Sequence, residues 1–540
     1  MPLPSSSHTL DLTFSAKAPG RPLRHYWSTC VGAGRANEGL RANWQEQLAL
    51  AVKHCGFRYL RFHGLFHDDM CVYREHEGKP IYNWQYIDAL FDRMLEIGIR
   101  PFVELSFFPK AIAAPNSKTQ FWWKGNITPP ENFDKWGALI DAFVRHCLQR
   151  YGAEEVRQWY FEVWNEPNLH QAFWDGTRSQ YFEMYRVTAQ AIKAIDDALR
   201  VGGPATSNFV PDDRFESEVE DTSRQVTFEM KDLGEGQWRG VWIEAFLAFC
   251  TQHDLPVDFI ACHPYPTDFP IDTGGNFIPR TRPATSTRDD LQWLRKIVDG
   301  SAFPHAEIHL TEWSSSPSPR DHSHDSLPAA TFVVRANIES IGLVDSLAYW
   351  VFTDVFEESA AGDTIFHGGF GLINFQGIVK PTFHAYRFLH QLGDEEIVRA
   401  PGVIATRDTS SSLLRILAYH YPPELREAPP LTSTPAEAEK ILALGQPHEL
   451  SIEIRDLPPH ATFELETLDA AHGFCLPAWK EMGSPEPPSR EQILVIRKAA
   501  QNLKIEIVSA NDSGILCVDR SLKPWTLLHL SEISRPFRLS

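Results

Sequence analysis

Between residue 25 and about residue 394, short apolar, β-prone runs alternate with longer segments whose apolar positions recur at a helical period. The runs are HYWSTCVGAG, FRYLRFHGLF, RPFVELSFF, WYFEVWNEPN, LRVGGPA, VDFIACHPY, AEIHLTEW and SLAYWVFTD, eight in all. The segments after them read as helices over 43–55, 87–98, 135–152, 179–199, 242–253, 288–300, 329–342 and 381–393. Eight such alternations predict an α/β fold, a (β/α)8 TIM barrel over residues 24–394. From about residue 395 the helical period fades into β-like stretches, LLRILAYHY, HELSIEIRDL, ATFELETLD and LKIEIVSA, joined by Pro-rich connections. They predict an appended antiparallel β-sandwich formed by residues 395–540 together with 1–23, where HTLDLTFS (8–15) alternates as a further strand. Two stretches interrupt the pattern: 205–239, with nine acidic and four basic side chains, and 422–447, a loop rich in Pro and Ala.

The same pattern sorts the polar residues. HGLFHDD closes the second run, WNEPN the fourth, CHPYP the sixth and TEW the seventh, each at the C-terminal end of its strand. In TIM barrels that face carries the active site, so the chemistry gathers at one mouth.

Composition narrows the class of function. Hydrophobic residues at 43% and charged residues at 22% are those of a soluble globular chain, which excludes disorder over most of its length. With 51 Lys and Arg against 70 Asp and Glu, the net charge of −19 repels phosphate backbones and anionic headgroups, and so counts against nucleic acid and membrane surfaces as partners. No run approaches the roughly 18 apolar residues of a membrane span. The start, MPLPSSSHTLDLTFSAKAPG, has neither a basic n-region nor an apolar h-region, and the expected location is cytoplasmic. The eight cysteines form no CxxC pair and read as buried free thiols.

Two carboxylates stand out. Glu166 lies in FEVWNEPN, where proline halts the strand and leaves the side chain aimed across the mouth, with Asn165 beside it to hydrogen-bond a neighbour. A helix-capping Glu in a βα loop is the plainer alternative, and the WNEPN context weighs against it. Glu312 ends the apolar strand IHLTEW; a buried carboxylate is costly, so it needs either a salt-bridge partner or a task. Carboxylates on the fourth and seventh strands that face one pocket are what glycoside hydrolysis requires. One protonates the leaving oxygen while the other attacks the anomeric carbon, with retention at a separation of about 5–5.5 Å and inversion at wider spacing. Sequence leaves that distance open.

FEVWNEPNL and HLTEW, together with RFHGLFHDDM, FWWKGNITPP, YWVFTDVFEE and FHGGFGLINFQGIVKPTFHAYRF, resemble glycoside hydrolase family 39, the family of β-xylosidases and α-L-iduronidases, and more closely its bacterial β-xylosidase branch. The resemblance runs from about residue 24 to 394 and continues weakly into the sandwich. It implies Glu166 as general acid/base and Glu312 as nucleophile of a retaining double displacement, Asn165 on the sugar 2-hydroxyl, and His63, His263, Tyr265, Trp350, Glu357 and Glu358 around the sugar subsite. No cofactor and no metal are expected.

Each of these residues also has a chemistry of its own. His63 and His263 can bond hydroxyls, Tyr265 can support the nucleophile or the charge at the ring oxygen, and Trp350 offers an apolar platform. Glu357 and Glu358 can accept from hydroxyls, and Trp122, within Phe121–Trp123 after the third strand, can wall the pocket; for every one the alternative is packing or bonding within the protein. His63 and His67 are four apart at a strand end, without an HxH or HExxH motif, which argues against a metal pair. Two features depart from the family pattern: Pro317, where many of its β-xylosidases carry Tyr, and the long acidic stretch 205–239, which either reshapes the site or is a solvated excursion.

The expectation is a retaining exo-β-xylosidase acting on short xylo-oligosaccharides, with homo-oligomerisation considered only by analogy with the family. An α-L-arabinofuranosidase or β-glucosidase shares the chemistry. From other classes come a non-catalytic carbohydrate-binding protein on a barrel scaffold and a metal-dependent barrel hydrolase.

Overall fold

The computed structural model describes residues 9–211, 236–270 and 278–533. Eight parallel strands close a barrel: β1 (Cys30–Arg35), β2 (Tyr59–His63), β3 (Arg100–Leu105), β4 (Tyr160–Val163), β5 (Arg200–Ser207), β6 (Phe259–His263), β7 (Glu307–Trp313) and β8 (Ser346–Tyr349). Tyr349 of β8 pairs with Val31 of β1 and completes the closure. Every strand falls on one of the eight predicted runs. The helices α1 (Ala42–Cys55), α2 (Gln85–Ile97), α3 (Asp134–Tyr151), α4 (Arg178–Ile195), α5 (Ile243–Gln252), α6 (Ser286–Asp299), α7 (Leu327–Glu339) and α8 (Pro381–Gln391) follow them as expected. The largest difference is at the end of α4. It stops at Ile195 because Asp196 turns extended, where its side chain accepts from Arg157 and the Ala198 N–H.

The chain forms two compact units, one of Ser28–Pro317 with Gly342–Ala361, the other of Met1–Trp27, Ser318–Ile341 and Gly362–Ser540. In the first, the eight strands enclose two kinds of layer. Phe102, Tyr160, Phe259 and His309 stack into an aromatic plug, with ring centroids 4.6 Å apart for Phe102 and Tyr160 and 4.7 Å for Tyr160 and His309. One pleat further on, Glu104 pairs with Glu162 in register, and both point inward, as does Arg61 on β2. The polar layer thus lies between the plug and the C-terminal ends of the strands.

The second unit holds α7 and α8, packed on each other, and two sheets. A seven-stranded sheet runs in the order Arg21–Pro22, Glu395–Ala400, Val403–Arg407, Leu414–Tyr419, Leu527–Ile533, Thr462–Leu468, Lys504–Ser509, and all its pairings are antiparallel. A three-stranded sheet joins Thr9–Ser15 to His448–Arg455 in parallel and His448–Arg455 to Leu516–Leu522 antiparallel. The predicted N-terminal strand is therefore present, in a mixed sheet. Leu12, Ile452 and Val518 from this sheet share a core with Ile416, Phe463 and Leu530 from the other.

The Pro- and Ala-rich stretch is not all loop. Thr434 caps a helix over Pro435–Leu442, with Pro at its first turn and the Glu437 N–H donating to the threonine hydroxyl, a start signal that composition hides. Of the cysteines, Cys71 and Cys517 are exposed and the other six buried; Cys517 sits on the outward phase of its strand. Most of the acidic stretch, residues 212–235, lies outside the described residues, and its flanks Phe209–Pro211 and Trp238–Gly240 pair as an antiparallel ribbon. Among the described residues no helix is long and apolar enough to cross a membrane.

Gly32 on β1 permits close packing at the mouth, since a Cβ there would lie 2.4 Å from the Trp350 ring. Gly32→Ala should cost about 1–3 kcal/mol by overpacking, read as a lower melting temperature together with reduced kcat as Trp350 is displaced.

Candidate active site

β4 ends at Val163, ahead of Asn165-Glu166-Pro167. Proline is not what stops it: Trp164 and Glu166 both take left-handed backbone, with φ of 73° and 43°. Such residues cost on the order of 1–3 kcal/mol each and persist only where neighbours hold them. Here the Trp164 indole N–H donates to the Phe173 carbonyl, and the Glu166 N–H to the Ala205 carbonyl at 2.8 Å. The Asn168 side chain both donates to and accepts from the backbone of Ser207, at 2.9 and 2.7 Å, fastening the loop to the end of β5. The two left-handed turns hold the buried Glu166 carboxyl beside His263, at the mouth.

Glu312 comes from the last turn of β7, where the Trp313 indole N–H donates to Thr287 and holds the strand end. Its Oε1 accepts from Arg61 Nη1 at 2.5 Å, and its Oε2 from the Tyr265 hydroxyl at 3.2 Å. His263 Nδ1 stands 3.0 Å from Glu166 Oε1 and 3.9 Å from Glu312 Oε2. One oxygen of Glu166 and one of Glu312 lie within 4.8 Å of each other. That is the close spacing of a retaining pair, well short of the roughly 6.5–9.5 Å that leaves room for an inverting water.

Arg61 joins these groups and was not singled out in the sequence. It is wholly buried on β2 and donates through Nε to Glu162 at 2.7 Å, through Nη1 to Glu312, and through Nη2 to Asn165 Oδ1 at 2.8 Å, with Glu104 3.0 Å away. The signal for it was phase: Tyr59, Arg61 and His63 alternate inward, and an inward arginine requires carboxylates in the same layer. Asn165 thereby spends its oxygen on Arg61, while its buried Nδ2 has no protein partner among the described residues.

Of the other residues singled out, His63, His263, Tyr265, Trp350 and Glu358 converge on the same cluster. His63 Nδ1 lies 2.6 Å from Glu104 and its Nε2 3.2 Å from Glu358; the ring packs 4.9 Å from Trp350. Glu357 and Trp122 form an outer clasp. Glu357 is gripped by Arg41 at 2.6 Å and Arg35 at 3.1 Å, so both of its oxygens are committed to guanidinium groups. Trp122, 55% exposed, donates from its indole to the Glu357 carbonyl at 2.5 Å, with the Arg35 guanidinium 5.5 Å from its ring. Glu38, unnoticed in the sequence, is buried beneath and accepts from the backbone N–H of Glu357 and of Arg35.

The model of the glycosyl hydrolases family 39 matches residues 11–516. The chain belongs to glycosyl hydrolase family 39. It is 37% identical over 496 residues, 90% of each chain, to a β-xylosidase of Caldicellulosiruptor saccharolyticus. Among solved structures it resembles the family 39 enzyme of Xanthomonas axonopodis pv. citri, at a TM-score of 0.82 and 32% identity with 98% of each chain covered. It likewise resembles a monomeric β-xylosidase of Caulobacter crescentus, at a TM-score of 0.81 and 33% identity, covering 97% of this chain and 99% of that one. The protein is thus a retaining glycosidase, and its substrate is a glycoside.

The family 39 site sets its charges by contact. Burial works against a charged His63, but the carboxylates of Glu104 and Glu358 outweigh it and raise the ring to about 10, so it is an imidazolium with Nδ1–H on Glu104 and Nε2 within 3.2 Å of Glu358. Burial lowers His263 to about 4, against the pull of Glu312, so that ring is neutral. Burial raises Glu312 above the ordinary glutamate value, a rise that the Arg61 guanidinium opposes. Among the described residues, Glu166, His263 and Glu312 also form a group whose ligand atoms lie close enough together to hold a metal ion. A cation there would compete with the Arg61 guanidinium already 2.5 Å from Glu312 and with the His263 bond to Glu166.

With Glu312 as the attacking group, its ionised form is the active one, and the acid limb of kcat/KM should then lie above the 4.5 of an ordinary glutamate. Arg61→Met, which removes the cation but keeps the bulk, should move that limb further upward. It should also destabilise the fold by about 3–5 kcal/mol by stranding buried acids. A pH–rate profile and a melting curve of the same variant check both.

Proposed function

We propose that this family 39 enzyme is an exo-β-xylosidase that releases xylose from the non-reducing end of short xylo-oligosaccharides, with Glu312 as nucleophile and Glu166 as general acid/base. The observation that carries the chemistry is the pair of buried carboxyls at close range on the β4 and β7 ends. The sugar is taken from the relatives named β-xylosidase, the first of them matching over 90% of this chain.

In the proposed first step Glu312 bonds the anomeric carbon as the glycosidic bond breaks, and the leaving oxygen takes the proton of Glu166. Arg61 and Tyr265 hold the Glu312 carboxylate at a fixed angle while it waits, so little reorganisation is needed at the moment of attack. Water then attacks the same carbon from the face the leaving group vacated, gives its proton to Glu166 and frees Glu312. Asn165 Nδ2, buried and without a protein partner among the described residues, would donate to the sugar 2-hydroxyl. Of the two adjacent acids, Glu358, which meets His63, is the one we assign to the glycone, since Glu357 is held by Arg35 and Arg41.

Glu312→Ala should abolish turnover, and azide should restore it with release of the glycosyl azide of inverted configuration. Glu166→Ala should lose about 10²–10⁴ in rate on xylobiose while largely sparing aryl glycosides with activated leaving groups. Equal loss on both substrates contradicts the role given to Glu166. A panel of nitrophenyl glycosides, led by β-xyloside against α-L-arabinofuranoside and β-glucoside, tests the sugar.

A further inference from the structure

We infer that Thr311 and Glu162, below the mouth of the barrel, fix His263 as its Nε2–H tautomer, so that Nδ1 accepts a hydrogen bond and Glu166 carries the proton lying between the two. The inference rests on the acid/base role proposed for Glu166. Neither Thr311 nor Glu162 was singled out in the sequence, and both are positioning residues that act through His263.

The hydrogen bonds form a chain with a single direction. Arg61 Nε–H donates to Glu162 Oε2 at 2.7 Å, so Glu162 sits against a permanent cation and serves as an acceptor at both oxygens. Thr311 has one O–H and spends it on Glu162 Oε1 at 2.6 Å. Its oxygen therefore meets His263 Nε2, 2.9 Å away, with lone pairs only, and Nε2 must supply the hydrogen. A neutral imidazole has one N–H, and His263 is wholly buried and neutral. Nδ1 is left with a lone pair facing Glu166 Oε1 at 3.0 Å, a contact that is a hydrogen bond only if the carboxyl donates. Among the described residues, the charged groups acting on His263 include Arg61 and His63 from β2, Glu162 from β4 and Glu312 from β7, and Glu166 also acts on Glu358 after β8, with the Tyr265 hydroxyl committed to Glu312. Glu312 Oε2, at 3.9 Å from Nδ1, is beyond hydrogen-bond reach of it.

This arrangement serves both half-reactions. In the first, the proton held between Glu166 and His263 goes to the leaving oxygen as the bond to the anomeric carbon breaks. Glu166 is then a carboxylate against the Nδ1 lone pair, two acceptors in contact, and that repulsion raises its affinity for the proton of the incoming water. Water gives up that proton as its oxygen bonds the anomeric carbon and the ester to Glu312 is released. One tautomer, set from below, thus keeps the acid protonated before the first step and makes it a stronger base in the second.

Thr311→Val keeps the shape and removes the hydroxyl. His263 can then carry its hydrogen on Nδ1, donate to the Glu166 carboxylate and stabilise it. On the nitrophenyl glycoside of the preferred sugar and on its phenyl counterpart, whose poorer leaving group needs the proton, the basic limb of kcat/KM should fall by about one pH unit, a tenfold loss at alkaline pH. Thr311→Ser, which restores the hydroxyl, should restore the parent profile. A Thr311→Val enzyme that melts like the parent and keeps its basic limb overturns the inference. Should that variant not fold, the wild-type enzyme decides: the infrared C=O stretch of a protonated carboxylic acid, taken as the difference from Glu166→Gln at about pH 6, well above an ordinary carboxyl, is expected, and its absence overturns the inference as well. Failure of the acid/base role itself shows elsewhere, as equal loss by Glu166→Ala on activated and natural substrates with the infrared band still present.

Discussion

A single guanidinium inside the barrel sets the terms for the site. Arg61 is wholly buried, and no buried arginine persists unless acids surround it, because the cost of taking its charge out of water is several kcal/mol even after relaxation. Glu104, Glu162 and Glu312 supply that charge from three different strands, and Asn165 fills a remaining donor. The same bonds that neutralise Arg61 therefore fix the position of Glu312 and the rotamer of Asn165. Beneath the network the plug of Phe102, Tyr160, Phe259 and His309 keeps the layer dry, so each of these bonds acts in a low dielectric. A network of this kind contributes little net stability compared with a well-packed apolar layer, and its return is geometry.

What the sequence disclosed and what it withheld follow from how each feature is encoded. The eight strands were legible because buried parallel strands read as apolar runs between helices of regular period, and the polar residues that break those runs sit where the strands end. WNEPN and TEW were legible for that reason, and so were Glu166 and Glu312. Arg61, Glu104, Glu162 and Thr311 were passed over because they lie within the strands, where inward side chains are ordinarily taken as filling. Only the shared inward phase of Tyr59, Arg61 and His63 pointed to them. The end of β4 was assigned to Pro167, since residue type carries no mark of the left-handed backbone that Trp164 and Glu166 adopt under tertiary constraint. Glu357 and Glu358 could not be told apart in sequence, because adjacent acids differ only in which meets Arg35 and Arg41 and which meets His63.

The two histidines of the site show how neighbours decide charge. His63 and His263 are both buried on strand ends of one barrel, and burial alone would leave both neutral. His63 lies between Glu104 and Glu358, and those carboxylates hold it as an imidazolium. His263 has a hydroxyl on one side and Glu166 on the other, with the Arg61 charge further disfavouring a second proton, and stays neutral. The Glu312 side of the pocket thus carries two cations, Arg61 at 2.5 Å and His63 at 3.5 Å, while the ring that meets Glu166 is neutral. Two glutamates within 4.8 Å cannot both ionise cheaply, and the cations beside Glu312 favour the division of roles proposed for the pair. On the roles proposed for the pair, the negative charge belongs on Glu312, beside the cations, and the proton on Glu166, beside the neutral ring. That division is the one a retaining mechanism needs before substrate arrives. It is made by side chains a full layer below the sugar, which explains why a carboxylate pair recognised from two short motifs depends on strand residues that neither motif contains.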